Sequence, residues 1–284
     1  MHSHESTPLW LIVGWLLTSC SVPALGQNPS TFKPLVEEFC TGHLPQGGEG
    51  TSSRFGVGEL NWTWFLNKTP GARFTRNSTD VNHPCIITAV TGNQDGNEAT
   101  LRLCTQGKQG NCPGLGANNN SIAGFNSLTF DTYIVFKIAD IADINVQAGF
   151  MDESNEDRAE LTVEYDTARG DKFLTFVAHN SAGKCRLEVD CKHLASNIAP
   201  VADRWIKARI RSITPGTALF SVCMGTTPSA GCKLPVSGNK FSISAPFIPS
   251  AQMTPSLHLQ TRANANKSVT WDYFSFTIGG GISR

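Results

Sequence analysis

The chain has 284 residues, with 23 Lys+Arg against 23 Asp+Glu and a formal net charge of zero at pH 7. Charged residues make up 16% of it, so no overall field draws in nucleic acid or anionic lipid, and partners must be found through local chemistry. With this length and 40% hydrophobic residues, a sizeable core is possible.

At the N-terminus, Leu9 to Leu17 is an apolar core too short to span a bilayer, and small residues follow it. That is the pattern of a secretory signal peptide. Ala24-Leu25-Gly26 before Gln27 is a small-x-small cleavage site, which makes residues 1–26 the expected signal peptide. A rival reading comes from Leu17-Thr18-Ser19-Cys20, which resembles a lipobox and would place a lipid on Cys20. The protein is therefore expected to be secreted, extracellular or periplasmic, with a membrane-anchored lipoprotein as the alternative. No second apolar segment is long enough for a membrane span.

Residues 27–54 read as a leader and linker, with an apolar patch at Leu35–Phe39 and a Gly/Ser-rich run at Gln46–Ser53. From Phe55 onward, short apolar/polar alternations are separated by Gly, Asn, Asp, Ser and Pro, which predicts a single all-β domain over residues 55–284. The first strand places Leu60, Trp62, Trp64 and Leu66 on one face, where aliphatic neighbours make core packing the better reading than a sugar-stacking platform. Further strands are predicted at Cys85–Thr91, Ala99–Cys104, Leu128–Ile138, Ile144–Met151, Arg158–Asp166, Phe173–Ala178, Cys185–Cys191, Trp205–Ile213, Ala218–Cys223, Ser256–Gln260 and Val269–Ile278. With little helix to carry crossovers, they must pair antiparallel. Ala159, Leu161, Val163 and Tyr165 alternate with Glu160, Thr162, Glu164 and Asp166, which predicts one dry and one wet face. The strand around Phe130–Ile138 has a mixed second face, implying partial cover by another layer.

Leaving aside Cys20, eight of the nine cysteines remain: Cys40, Cys85, Cys104, Cys112, Cys185, Cys191, Cys223 and Cys232. An even set in an exported chain points to disulfides, and no Cys-x-x-Cys or His-x-x-x-His pair anchors a zinc site. Cys223 with Cys232 and Cys104 with Cys112 flank turn-rich loops that bring their ends together. Cys40, paired with Cys85, would pin the leader. Cys185 and Cys191 on one straight strand would lie about 20 Å apart at roughly 3.3 Å per residue, so either the segment turns back and they pair, or each pairs elsewhere.

The succession from Tyr133 to Asp152, then Glu164-Tyr165-Asp166, Trp205 to Ile210, Leu219 to Val222 and Trp271 to Phe276 resembles the concanavalin A-like lectin/glucanase jelly-roll superfamily over about residues 55–279. The resemblance implies an antiparallel jelly-roll β-sandwich and a place among lectins, glucanases, alginate-lyase-type enzymes and secreted or appendage domains. Glucanases of that superfamily carry Glu-x-Asp-x-(x)-Glu on one strand. Here Glu164 and Asp166 supply the first two positions, but Thr167, Ala168 and Arg169 follow, and Glu188-Val189-Asp190 fails in the same way. Both are therefore read as strand faces, with Glu164 and Asp166 the remaining catalytic candidates.

A lyase would need a Tyr or His base beside Arg and Gln or Asn. The chain offers Tyr133, Tyr165 (read as inward-facing), Tyr273 and His179, which is read as part of a surface turn. Calcium is the one cofactor considered. Asp152, Asn155 and Asp157 share an acidic loop, and Asn93, Asp95, Asn97 and Glu98 share a second, though both compositions also suit hairpin turns. Asn-x-Ser/Thr sequons occur at Asn61, Asn67, Asn77, Asn119 and Asn266. Taken together, the sequence favours a non-catalytic recognition or structural module with carbohydrate or a cell-surface polysaccharide as partner. A polysaccharide-active hydrolase or lyase and a structural surface protein are the alternatives.

Overall fold

The computed structural model describes residues 35–42, 44–45, 51–59, 62–67, 69–77, 85–103, 129–151, 159–180, 191–228, 241–244, 247 and 253–279. Period-two alternation becomes sixteen strands, with no helix among these residues. In chain order they are β1 (Leu35–Glu37), β2 (Thr51–Val57), β3 (Trp62–Leu66), β4 (Arg73–Asn77), β5 (Ile86–Val90), β6 (Glu98–Arg102), β7 (Phe130–Ile138) and β8 (Ile144–Met151). They continue as β9 (Glu160–Asp166), β10 (Thr175–His179), β11 (Cys191–Ala195), β12 (Trp205–Ser212), β13 (Thr217–Gly225), β14 (Phe241–Ser244), β15 (Thr254–Thr261) and β16 (Ser268–Ile278).

The first sheet runs β14-β13-β12-β7-β16-β5-β4, with β1 also paired to β16, and the second runs β11-β10-β9-β8-β15-β6-β3-β2. Every pairing is antiparallel, and the chain passes between sheets at β1 to β2, β3 to β4, β5 to β6, β6 to β7, β7 to β8, β11 to β12, β14 to β15 and β15 to β16. This is the all-β sandwich that the alternation and the jelly-roll resemblance imply.

The two sheets meet through aromatic side chains. Phe150 of the second sheet lies 4.9 Å from Phe276 of the first, Phe176 lies 4.9 Å from Phe220, and Trp62 meets Phe274 edge-on at 5.2 Å. All of these rings are fully buried, and offset or edge contacts of this kind add about 1 kcal/mol each to the burial of their area. Trp62, Trp64 and Leu66 face this interior as predicted, with Tyr165 alongside them.

Two segments read as leader and linker belong to the sheets. Leu35–Glu37 adds to β16, and the polar run from Thr51 pairs with β3. The inward residue of β1 is Glu37, which is fully buried. One carboxylate oxygen accepts N–H bonds from Phe39 (2.6 Å) and Glu59 (3.0 Å), and the other accepts Trp62 Nε1–H at 3.0 Å. Gly58, at φ +77°, packs directly against this carboxylate, where a Cβ would collide with it.

A disulfide joins Cys40 to Cys85 with Cα atoms 4.6 Å apart, and Arg76 donates to the carbonyls of Phe39, Thr41 and Gly42. Cys191 and Cys223 are disulfide-bonded as well, whereas Cys104, Cys112, Cys185 and Cys232 lie outside the described residues. So do residues 1–26, read from the sequence as a signal peptide, and Cys20 within them. Apart from Cys191, the strand expected at Cys185–Cys191 lies outside the described residues, and Cys191 itself pairs opposite His179 of β10. Among the described residues, no helix is long and apolar enough to cross a membrane.

Replacing Glu37 with Ala strands three donors, two of them buried and the Glu59 N–H part-buried, and unsatisfied buried groups cost roughly 1–3 kcal/mol each. Urea unfolding of Glu37→Ala is expected to show a loss of at least about 3 kcal/mol, with Glu37→Gln losing less because it keeps one acceptor. A loss near zero would mean that the carboxylate does not anchor this segment.

Candidate functional site

The outer face of the second sheet carries polar side chains in register. Across β3, β6, β15, β8 and β9, the Cα pairings align Phe65 with Thr100, Thr100 with His258, His258 with Gln147 and Gln147 with Glu164. Each residue occupies the strand position that points away from the aromatic interior. Their neighbours in sequence, Leu66, Leu101, Leu257, Ala148 and Val163, fill that interior.

This row is bound together by its own hydrogen bonds. Thr100 Oγ1 lies 2.9 Å from His258 Nδ1, and Gln147 Nε2 donates to Glu164 Oε1 at 2.8 Å. Arg169, in the turn after β9, donates to Glu164 Oε2 at 2.6 Å and also forks onto Asp171. At the end of the row, Phe65 is 38% exposed.

The wet face predicted for β9 is not solvated. Glu164 retains 3% of its accessible surface and Asp166 8%, because β8 and β10 flank the strand and two arginines close over it. Asp166 is held by Arg262 through Nη2 at 2.8 Å and Nε at 3.3 Å, and also accepts Ala168 N–H. Glu164 and Asp166 thus share a face as expected, but each is committed to a guanidinium.

One guanidinium cannot neutralise two carboxylates. Arg169 serves Asp171 as well as Glu164, and burial pushes the Glu164 carboxyl above its ordinary value of 4.5 against the pull of Arg169 and Gln147. Although burial opposes it, Asp171 and then Glu164 lift Arg169 further above the usual arginine range. Glu164 therefore keeps its proton to higher pH than an ordinary glutamate.

A second row runs from Thr63 through Arg102, Ser256, Gly149 and Thr162 to Val177 and His193. Small residues occupy its middle, and Gly149 holds φ +149° where a Cβ would fall on the backbone of Leu161 and Thr162. His179, read from sequence as part of a surface turn, ends β10 opposite Glu160 and Cys191. It is 3% exposed, and its Nε2 has no hydrogen-bond partner among the described residues.

The sequence did not single out Thr100, Gln147, His258 or Arg169. Their signal is a polar residue at an outward slot of an apolar strand, and only the strand order β6-β15-β8-β9 turns those separate slots into one row. None of the three tyrosines lies on this face, since Tyr165 is interior and Tyr133 and Tyr273 are on strands of the first sheet. The acidic loop with Asp152, Asn155 and Asp157 lies outside the described residues. In the other loop, Asn97 Nδ2 donates to Thr69 Oγ1, tying two loops, and Glu98 accepts from Gln260, tying β6 to β15. Among the described residues, no cluster of His, Cys, Asp and Glu is arranged to hold a metal ion.

No protein-family model matches the chain, and no curated protein matches it. Among solved structures it is similar to a β-glucanase of Bacillus licheniformis, with 11% identity over 87% of this chain and 99% of the other at a TM-score of 0.42. It is also similar to an endo-β-1,4-glucuronan lyase of the fungus Trichoderma reesei, with 8% identity over 82% and 94% at 0.43. Lectin II of Ulex europaeus is similar too, with 11% identity over 73% and 92% at 0.42. At such identities no activity transfers to this chain.

Because the folded-state value of Glu164 is the higher one, its stability contribution is complete below about 4.5 and is lost as pH rises through the folded value. The unfolding midpoint of the wild type relative to Glu164→Gln is therefore expected to fall as pH is raised above 4.5. Carboxyl NMR titration should place Glu164 above 4.5, and Asp171→Asn should lower it by releasing Arg169 to Glu164 alone. Titration of wild-type Glu164 at or below the ordinary value would overturn this account.

Proposed function

We propose that the chain is an exported, non-catalytic glycan-recognition module that binds through the outer face of the second sheet. The observation that carries this reading is the in-register row Phe65–Thr100–His258–Gln147–Glu164. A sugar offers hydroxyl groups along its edges and a weakly apolar C–H face. The half-buried Gln147 amide, held by Glu164 and flanked by the buried Thr100 and His258, matches the first, and a half-exposed aromatic ring at the end of the row matches the second. Groups fixed before binding lose little rotamer freedom on binding, which favours affinity. The Cys40–Cys85 bridge supports export, since such bonds persist in oxidising compartments.

A second reading, a polysaccharide-active hydrolase or lyase, is favoured by Glu164, whose burial keeps it a proton donor at higher pH than an ordinary carboxyl. Against hydrolysis stands the other carboxylate of the strand. Asp166 is engaged by Arg262, and a glycosidase needs a second carboxylate free to attack or to activate water.

The test is binding of the full, oxidised chain to an array of neutral and acidic glycans, together with an assay for released reducing ends and unsaturated products. Specific binding without turnover, weakened about tenfold or more by Gln147→Ala or Phe65→Ala, is the expected result. Turnover abolished by Glu164→Gln would establish the enzymatic reading instead. A blank array with no product would overturn both and leave a structural surface protein.

A further inference from the structure

The outer face of the first sheet differs from that of the second, and nothing in the reading above uses it. On β12, Ile206, Ala208 and Ile210 are fully buried, which leaves Lys207, Arg209 and Arg211 on the opposite side. Alternate residues on a strand stand about 6.8 Å apart, so these three cations form a line roughly 13 Å long. The neighbouring strand β7 places Lys137 beside Trp205, Val135 beside Lys207, Tyr133 beside Arg209 and Asp131 beside Arg211.

Two of the cations are fixed by aromatic rings. The Arg209 guanidinium lies 4.6 Å from the centre of the Tyr133 ring, and Lys137 Nζ lies 5.3 Å from that of Trp205. Arg209 is further held by both oxygens of Asp131, one of them at 2.7 Å, and Lys137 faces Asp203 at 3.9 Å. Lys207 and Arg211 have no carboxylate partner among the described residues, and the buried Nε of Arg211 has no hydrogen-bond partner. In a chain with zero net charge, positive charge in excess of its partners is gathered on one half-buried sheet face.

We propose that this face is a second binding surface, for a polyanionic polysaccharide carrying carboxylate or sulfate groups along its length. A line of cations at regular spacing matches a ligand whose negative charges repeat, and an isolated anion would use only part of it. The stacked Arg209 and Lys137 side chains are already ordered, so engaging them costs little entropy. Guanidinium groups pair with planar carboxylates and with sulfate oxygens through two donors at once. Polysaccharide is favoured over nucleic acid because the disulfides of this chain belong to an oxidising compartment.

The experiment measures binding of the full, oxidised chain to immobilised heparin and polygalacturonate, with a neutral glucan and duplex DNA as controls, from 50 to 500 mM NaCl. The wild type is expected to bind the acidic polysaccharides and to be released as salt rises, because bound counterions are exchanged for protein cations. The double variant Lys207→Gln/Arg211→Gln is expected to bind about tenfold or more weakly with an unchanged melting temperature. Lys172→Gln, which removes an exposed cation outside this line, should bind like the wild type, so that a loss confined to the double variant reports this surface and not the polar row. No binding to either acidic polysaccharide at 50 mM NaCl, equal binding by the double variant, or stronger binding to DNA would each overturn the proposal.

Discussion

The aromatic seam between the two sheets is the constraint on which the rest of the molecule depends. Phe150 against Phe276, Phe176 against Phe220 and Trp62 against Phe274 each join one sheet to the other. Because side chains alternate along a strand, fixing these rings fixes the direction of every neighbour. A one-residue slip of β9 would expel Leu161, Val163 and Tyr165 and turn Glu160, Thr162, Glu164 and Asp166 into the interior. Each expelled side chain forfeits about 1.5–3 kcal/mol of burial, and each carboxylate brought inside without a partner costs more. The packing that holds the sandwich together therefore also sets the composition of both outer faces.

Those two faces solve the problem of charge differently. On the second sheet, acidic groups sink beneath arginines: Glu164 and Asp171 share Arg169, and Asp166 takes Arg262. Buried ion pairs of this kind are weak sources of stability, since the cost of removing both charges from water nearly offsets their attraction. What they supply is position, holding Gln147 and Glu164 at set places in the row. On the first sheet, cations lie against rings and stay half-buried. Arg209 and Lys137 also pair with Asp131 and Asp203, so the capacity of that face to attract an anion rests on Lys207 and Arg211, which have no carboxylate partner among the described residues.

The degree to which the sequence foretells this structure follows from how local each signal is. The strands at 144–151, 160–166, 205–212 and 268–278 are legible because their own alternation carries the apolar burial. β1 has three residues, too few for a period, and β2 begins with Thr51-Ser52-Ser53-Arg54, whose strand state comes from pairing with β3. Residues 185–190 of a further expected strand lie outside the described residues, whereas Cys191 pairs with β10. The candidate site is less legible still. Gln147 and His258 each look like ordinary outward positions, and only the nonlocal adjacency of β8 and β15 makes them neighbours. The dry or wet character of β9 also depends on residues far along the chain, since Arg262 closes over Asp166.

Glu37 shows how a stretch that reads as a leader comes to belong to the core. Its strand joins the first sheet, while its carboxylate accepts Trp62 Nε1–H from the second. The aromatic seam and this polar link meet at Trp62, whose ring packs on Phe274 and Phe39 and whose indole nitrogen is satisfied by Glu37. An apolar residue at position 37 would leave that indole donor and two backbone N–H groups without an acceptor, so the interior here demands a buried acid. The Cys40–Cys85 bridge then fixes the same strap covalently beside β5. Hydrogen bonding and covalent linkage thus do for residues 35–42 what apolar alternation does for the long strands, which is why a search for alternation passes over them.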